Sequence, residues 1–112
     1  MNHRQLFIDF DLYTEDDPDF KKELIELMLR DVLELQQSLQ LAVEANDVSM
    51  YRNACHKMNS TLTILDDQEL LSLVGEIKKD LQNSELTGSF NRICSEIVNS
   101  LKMNQMLESS PA

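Results

Sequence analysis

The stretch Asp17-Pro18-Asp19-Phe20-Lys21-Lys22-Glu23-Leu24-Ile25-Glu26-Leu27-Met28-Leu29-Arg30-Asp31-Val32-Leu33-Glu34-Leu35-Gln36-Gln37-Ser38-Leu39-Gln40-Leu41-Ala42 decides the fold class. Ile25, Met28, Val32, Leu35, Leu39 and Ala42 recur at alternating spacings of three and four, which aligns them on one seam of an α-helix. The start is marked chemically. Asp17 can cap exposed amides, Pro18 loses nothing at the first helical position, and Asp19 faces the positive end of the helix dipole. Leu24, Leu29, Leu33 and Leu41 widen the apolar surface beyond one stripe, so this helix is expected to touch more than one neighbour.

Working outward, Asn46-Asp47 interrupts the pattern, and Asp47 can cap a second helix whose apolar side is Val48, Tyr51, Ala54, Cys55, Met58, Leu62 and Leu65. That helix is expected to run unbroken to about Leu65. Asp66 stands three residues before Glu69, a capping-box-like pattern that opens a third helix over about 67–83. Its buried stripe is Leu70, Leu73, Val74, Ile77 and Leu81. Asn83-Ser84 and Thr87-Gly88 punctuate the chain before Phe90, Ile93, Cys94, Ile97 and Leu101, which define a fourth helix. Residues 1–16 carry Leu6, Phe7, Ile8, Phe10, Leu12 and Tyr13 interleaved with Asp9 and Asp11, and are expected to pack across one end. The tail 107–112 offers no stripe and is expected to fray.

Composition agrees with this reading. One hundred and twelve residues make a single domain, 1–112, with a bundle core over about 17–106. Two glycines and two prolines cannot supply the turns of a β-sandwich or of repeated α/β crossovers. The fold class is therefore all-α: an up-down-up-down antiparallel four-helix bundle, because short connections force successive helices to lie side by side. Ten Lys and Arg against twenty Asp and Glu give a net charge of -10, which repels phosphate backbones and anionic lipid. No nucleic-acid or membrane partner is expected. The absence of a long apolar run or a signal-like start predicts a soluble, cytoplasmic chain. Cys55 and Cys94 form no Cys-x-x-Cys pair and are expected to be reduced core thiols.

One position has chemical promise. On a wheel of about 100° per residue with Cys55 at zero, the apolar side of the second helix centres near about -40° and His56 falls at about +100°. His56 is therefore expected to face solvent, flanked one turn away by Arg52, Asn53, Asn59 and Ser60. An exposed imidazole with a free nitrogen lone pair can act as a nucleophile, although a lone His on a polar helix face is otherwise mere surface.

The stretch Ala54-Cys55-His56-Lys57-Met58-Asn59-Ser60-Thr61-Leu62-Thr63-Ile64-Leu65, followed by Glu69-Leu70, resembles the phosphoacceptor helix of histidine-containing phosphotransfer (HPt) domains. Asp17-Pro18-Asp19-Phe20-Lys21-Lys22-Glu23-Leu24 resembles the start of that family's first long helix, and Leu41-Ala42 through Asp47 its inter-helix turn. The resemblance covers roughly residues 10–83. It implies a four-helix bundle in which His56 accepts a phosphoryl group from a receiver-domain aspartyl phosphate and passes it to another receiver. Phosphoryl transfer needs mainly alignment and charge neutralisation, and in such pairs the receiver supplies the metal ion and acidic pocket. No cofactor or metal is then required of this chain. The implied partners are response-regulator receiver domains and a hybrid sensor kinase, with the protein a monomer and a phosphocarrier rather than a turnover enzyme.

Three positions depart from the family pattern. Three residues after the His the family usually carries Lys, here Asn59. Arg52 lies on the same face and Lys57 projects about 100° further round. The following family position is usually Gly, here Ser60, small enough to keep the helix surface low. Ten residues after the His the family often turns on Gly, here Asp66, expected to cap the third helix. Arg52, Lys57, Asn59 and Ser60 form the expected phosphate environment, and Thr63 with an exposed Ile64 the partner-docking surface. The alternative reading is a degenerate adaptor that binds receivers without accepting phosphate.

Other chemistries find no support. No Glu stands three residues before His56 or His3, which excludes the paired Glu-x-x-His of di-iron bundles. No Gly-x-Ser-x-Gly turn or phosphate-cradling Gly-rich loop is present. An opening Met1 favours a free-standing protein over a fragment of a hybrid kinase.

Overall fold

Asp17 does cap the first long helix: its Oδ1 accepts from the amides of Asp19 at 3.0 Å and Phe20 at 3.2 Å, with Pro18 in the first turn. In the computed structural model, which describes residues 4–6 and 8–109 apart from the side chains of 107–109, every regular element is helical. These are α1 (Phe10–Thr14), α2 (Pro18–Ala45), α3 (Val48–Lys57), α4 (Asn59–Leu65), α5 (Gln68–Lys79) and α6 (Ser84–Ser109). His3, Phe7 and residues 110–112 lie outside the described residues.

The contacts close a ring. α2 packs against α6 on one side and α3 on the other, while α5 packs against both α3 and α6. At about 1.5 Å per residue, the two long helices α2 and α6 account for the 48 Å long axis of a body 27 and 21 Å across. Every apolar residue of the α2 seam named above is buried, as are Tyr51, Ile77, Phe90, Ile93, Ile97 and Leu101 from the facing helices. Each such side chain contributes about 1.5–3 kcal/mol by leaving water. Tyr51 and Phe90 meet edge to face, with ring centroids 6.1 Å apart. The Tyr51 hydroxyl is buried without a hydrogen-bond partner, and desolvation holds its pKa above the usual phenol value. Cys55 and Cys94 are buried free thiols, and burial pushes Cys94 up to about 12.

Several boundaries differ from expectation. The second helix is not continuous: it breaks at Met58, whose φ of -94° and ψ of 12° lie in the sparsely allowed bridge region. Asn59, Ser60 and Thr61 follow it, polar side chains that compete with helical hydrogen bonding. The cap of α5 is Asp67, whose Oδ1 accepts from the Leu70 amide at 3.0 Å. Asp66 instead ends α4 in the left-handed region at φ 46°, a conformation usually left to Gly or Asn at helix ends. α5 stops at Lys79, and Asn83 caps α6 by accepting from Glu85 and Leu86. Thr87-Gly88 is therefore inside a helix rather than before one, and no atom lies near enough to Gly88 to demand its missing side chain. Leu24 and Leu29 are buried, whereas Leu33 and Leu41 are 49% and 45% exposed.

The two ends of the chain also depart from the 17–106 core. Residues 10–14 form a helix, with Phe10 and Thr14 buried and Asp9 as its cap, so the core starts before residue 17. α6 keeps its helical backbone through Ser109, past the expected end of order. Upstream of α1, Arg4 ties the segment to two helices. Its amide donates to Ser100 Oγ at 2.7 Å, and its guanidinium reaches Asp67, Glu69 and Glu96. Among the described residues no helix is long and apolar enough to cross a membrane.

Candidate functional site around His56

His56 sits in the last turn of α3, one residue before Lys57 and two before the break. Its position follows from which side chains α3 must bury. Tyr51, Ala54, Cys55 and Met58 are in the core, which leaves the opposite face, His56 with Arg52 and Asn53, exposed. Asn59, Ser60 and Thr63 continue that exposed face on α4. Among the described residues, none makes a side-chain hydrogen bond or ion pair with His56, Arg52, Asn59, Ser60 or Thr63. The imidazole is thus unencumbered, and the side chains beside it are short apart from Arg52.

Two bonds fix the flank of this surface against α2. Thr61 is buried and its Oγ1 donates to Asp31 Oδ2 at 2.6 Å. Lys57 Nζ lies 2.9 Å from Glu34 Oε1, with both side chains largely in water. Thr61 ties α4 to α2 through a buried bond, and Lys57 reaches from α3 to the same helix through an exposed one. The Glu34 pair also turns the Lys57 charge toward α2, away from the side on which Arg52 and Asn59 lie.

The structure brings together His56, Arg52, Asn59, Ser60 and Thr63 on one exposed face. Ile64 does not join them as an exposed residue. It is half-buried and packs against the core. The wheel measured its direction from a single core, whereas Thr61, one turn earlier on the same side, is itself buried and bonded to Asp31 of α2, so that side of α4 is not open solvent. The α2 flank carries two groups that sequence reasoning missed, Asp31 and Glu34. They sit off the α2 seam, and nothing in their local pattern shows which helix would pack against them.

On the far side of α3 lies α5. Gly75 and Lys78 stand three residues apart on α5, hence on one face. Lys78 is half-buried, and open space lies in front of Gly75, where an added Cβ would meet no atom within 4 Å. Burial pushes the Cys55 thiol up, and the nearby Lys78 charge pulls the other way. Among the described residues no group of three or more His, Cys, Asp and Glu side chains is placed to hold a metal ion.

Chemically, this face offers one accessible nucleophilic nitrogen, a low polar surround and cations on its margin. The face is open to solvent. Comparison with family models, curated proteins and solved structures returns no match.

Proposed function

We propose that this protein is a histidine phosphotransfer protein of a two-component phosphorelay, with His56 as the phosphoacceptor. The observation that carries the reading is the exposed, unbonded His56 on a helix face of short polar residues, anchored from below by Thr61 and Asp31. The ring of contacts among α2, α3, α5 and α6 supports the finer architecture of an up-down-up-down four-helix bundle, with α3 and α4 acting as one interrupted member. The left-handed Asp66 supports it further, because the HPt pattern often turns on Gly at that position.

In the reaction, a lone pair on a ring nitrogen of His56 attacks phosphorus in a receiver's aspartyl phosphate. The N–P bond forms, the P–O bond breaks, and the carboxylate leaves with its electron pair. The ring gives up its remaining extra proton to solvent. Return transfer to a second receiver reverses these steps. The open face suits this chemistry, since a flat surface admits a second protein's active site where a closed pocket would exclude it. Receiver domains, including that of a hybrid sensor kinase, are the partners of this cytoplasmic role.

Asn59, neutral where the family pattern has a cation, favours a second reading: an adaptor that docks receivers without accepting phosphate. Label transfer from a panel of phosphorylated receivers, run beside His56→Gln with binding followed in parallel, separates the two. Transfer abolished in His56→Gln with helicity retained is the expected result. Binding without transfer in the wild type selects the adaptor, and transfer that persists in the variant overturns the assignment of His56.

A further inference from the structure

The corner between α1 and α2 carries one sign of charge. Asp9, Asp11, Glu15, Asp16, Asp17 and Asp19 occur there, with no Lys or Arg between residues 9 and 20. Two aromatic side chains open onto the same corner, Tyr13 and Phe20, each 51% exposed. Together with Thr14, Glu15 and Asp17 they line a cleft of about 310 Å³. The backbone beneath it is fixed. The Thr14 hydroxyl donates to the Phe10 carbonyl at 2.7 Å, and the Asp16 and Asp17 amides donate to the carbonyls of Asp11 and Thr14 at 3.0 and 2.9 Å. These bonds hold Glu15 and Asp16 in the left-handed region, at φ 51° and 60°, and the cleft stands formed without a ligand.

An organic cation suits such walls, because an aromatic face attracts positive charge and a carboxylate pairs with it. The fold already uses that combination beside the cleft: Lys21 Nζ lies 5.9 Å from the Phe10 ring centroid and 3.6 Å from Asp11 Oδ1. Glu15 has no such partner among the described residues. Lys22, two residues after Phe20, lies on a different side of α2. The carboxylates do not converge on a metal-sized point, since no group of three or more among the described residues is placed to hold a metal ion.

We propose that this cleft binds an arginine side chain presented by a partner protein, its guanidinium stacked on Tyr13 or Phe20 and bonded to Glu15. Arginine is favoured over lysine because its planar fork both stacks on rings and pairs with a carboxylate through two bonds. The net charge of -10 draws a basic partner toward the molecule. The cleft is separate from the His56 face: Glu34, which pairs with Lys57, is fourteen residues along α2 from Phe20, or about 21 Å. The inference therefore does not rest on His56 as a phosphoacceptor.

The test titrates the isotope-labelled full chain with the peptide acetyl-Ala-Arg-Ala-amide and with its citrulline and lysine counterparts, followed by NMR. Expected are saturable shifts of the Tyr13 and Phe20 ring signals, with binding about tenfold weaker for the uncharged citrulline peptide and about threefold weaker for the lysine peptide. Glu15→Gln is expected to weaken the arginine peptide about threefold, and Tyr13→Ala combined with Phe20→Ala about tenfold, with helicity retained. Shifts spread evenly over the other acidic segments, equal binding of the citrulline peptide, or full binding by the double variant overturns the proposal. Equal binding of the lysine peptide overturns the assignment to arginine. If the double variant unfolds, the citrulline peptide and Glu15→Gln decide on their own.

Discussion

At the corner where α5 begins beside α6, one guanidinium meets three carboxylates: Arg4 Nη2 lies 3.0 Å from Asp67 Oδ1 and 2.7 Å from Glu69 Oε1, and Nη1 lies 3.4 Å from Glu96 Oε1. On the α3–α4 face, by contrast, His56, Arg52 and Asn59 meet no such group among the described residues. The first region is closed. Arg4 is held above its ordinary pKa chiefly by its hydrogen bond to Asp67, and the same bond holds the Asp67 carboxyl below the usual carboxylate range. Asp67 also caps α5, so the N-terminal segment and a helix start share one anion. The second region is open, and its polar groups remain free for a visitor. Polar side chains in this protein thus divide between those that hold helices together and those that the fold leaves unsatisfied at its surface.

Removing Arg4 gives the largest expected break in that contrast. Arg4→Ala strips the shared cation from three carboxylates, of which only Glu96 keeps another partner in Arg92, and loosens the segment before α1; it is expected to cost about 1–2 kcal/mol, since the cluster is partly open to water. Urea unfolding at neutral pH measures it, and a loss no larger than that of an exposed pair removes the distinction between the regions. Its pH dependence is a second signature. Because the native Asp67 pKa is lowered from 3.8, its contribution is complete above that value and disappears as pH falls through the native one. The stability gap between wild type and Arg4→Ala should therefore narrow below about pH 4.

Thr61→Val tests the boundary between the regions. It keeps the buried shape but deletes the donor to Asp31, with an expected cost of about 1 kcal/mol and no direct effect on the exposed side chains. A neutral result would mean that α4 is held by apolar packing alone. Lys57→Ala is expected to change stability by less than about 0.5 kcal/mol, because both partners of the Lys57–Glu34 pair are well exposed. A larger loss would make that pair part of the framework and would place the framework's edge at His56 itself.

The helices were largely legible before the structure, because burying an amphipathic stripe is a local demand. The α2 seam, the Asp17 cap with Pro18, and the Asn46-Asp47 junction all follow from residue type and spacing, and all are found. His56 was legible for the same reason: once Tyr51, Ala54 and Cys55 must be inside, residue 56 must be outside. What failed was reading that needed a neighbour's position. Asp66 and Asp67 are chemically interchangeable as caps, and the exit from α4 chose between them by placing Asp66 at positive φ. Ile64 looked exposed on a wheel drawn from one core, yet it is half-buried against that core.

The sequence alone therefore determined that the chain is helical, where most helices start, and that His56 faces water, since each depends on side chains within one or two turns of one another. Only the tertiary structure decided the break at Met58, the pairing of Asp31 with Thr61 and of Glu34 with Lys57, and the Arg4 corner. Those depend on residues that are distant in the chain, and no local periodicity encodes which charged side chain a packed helix will bring to another.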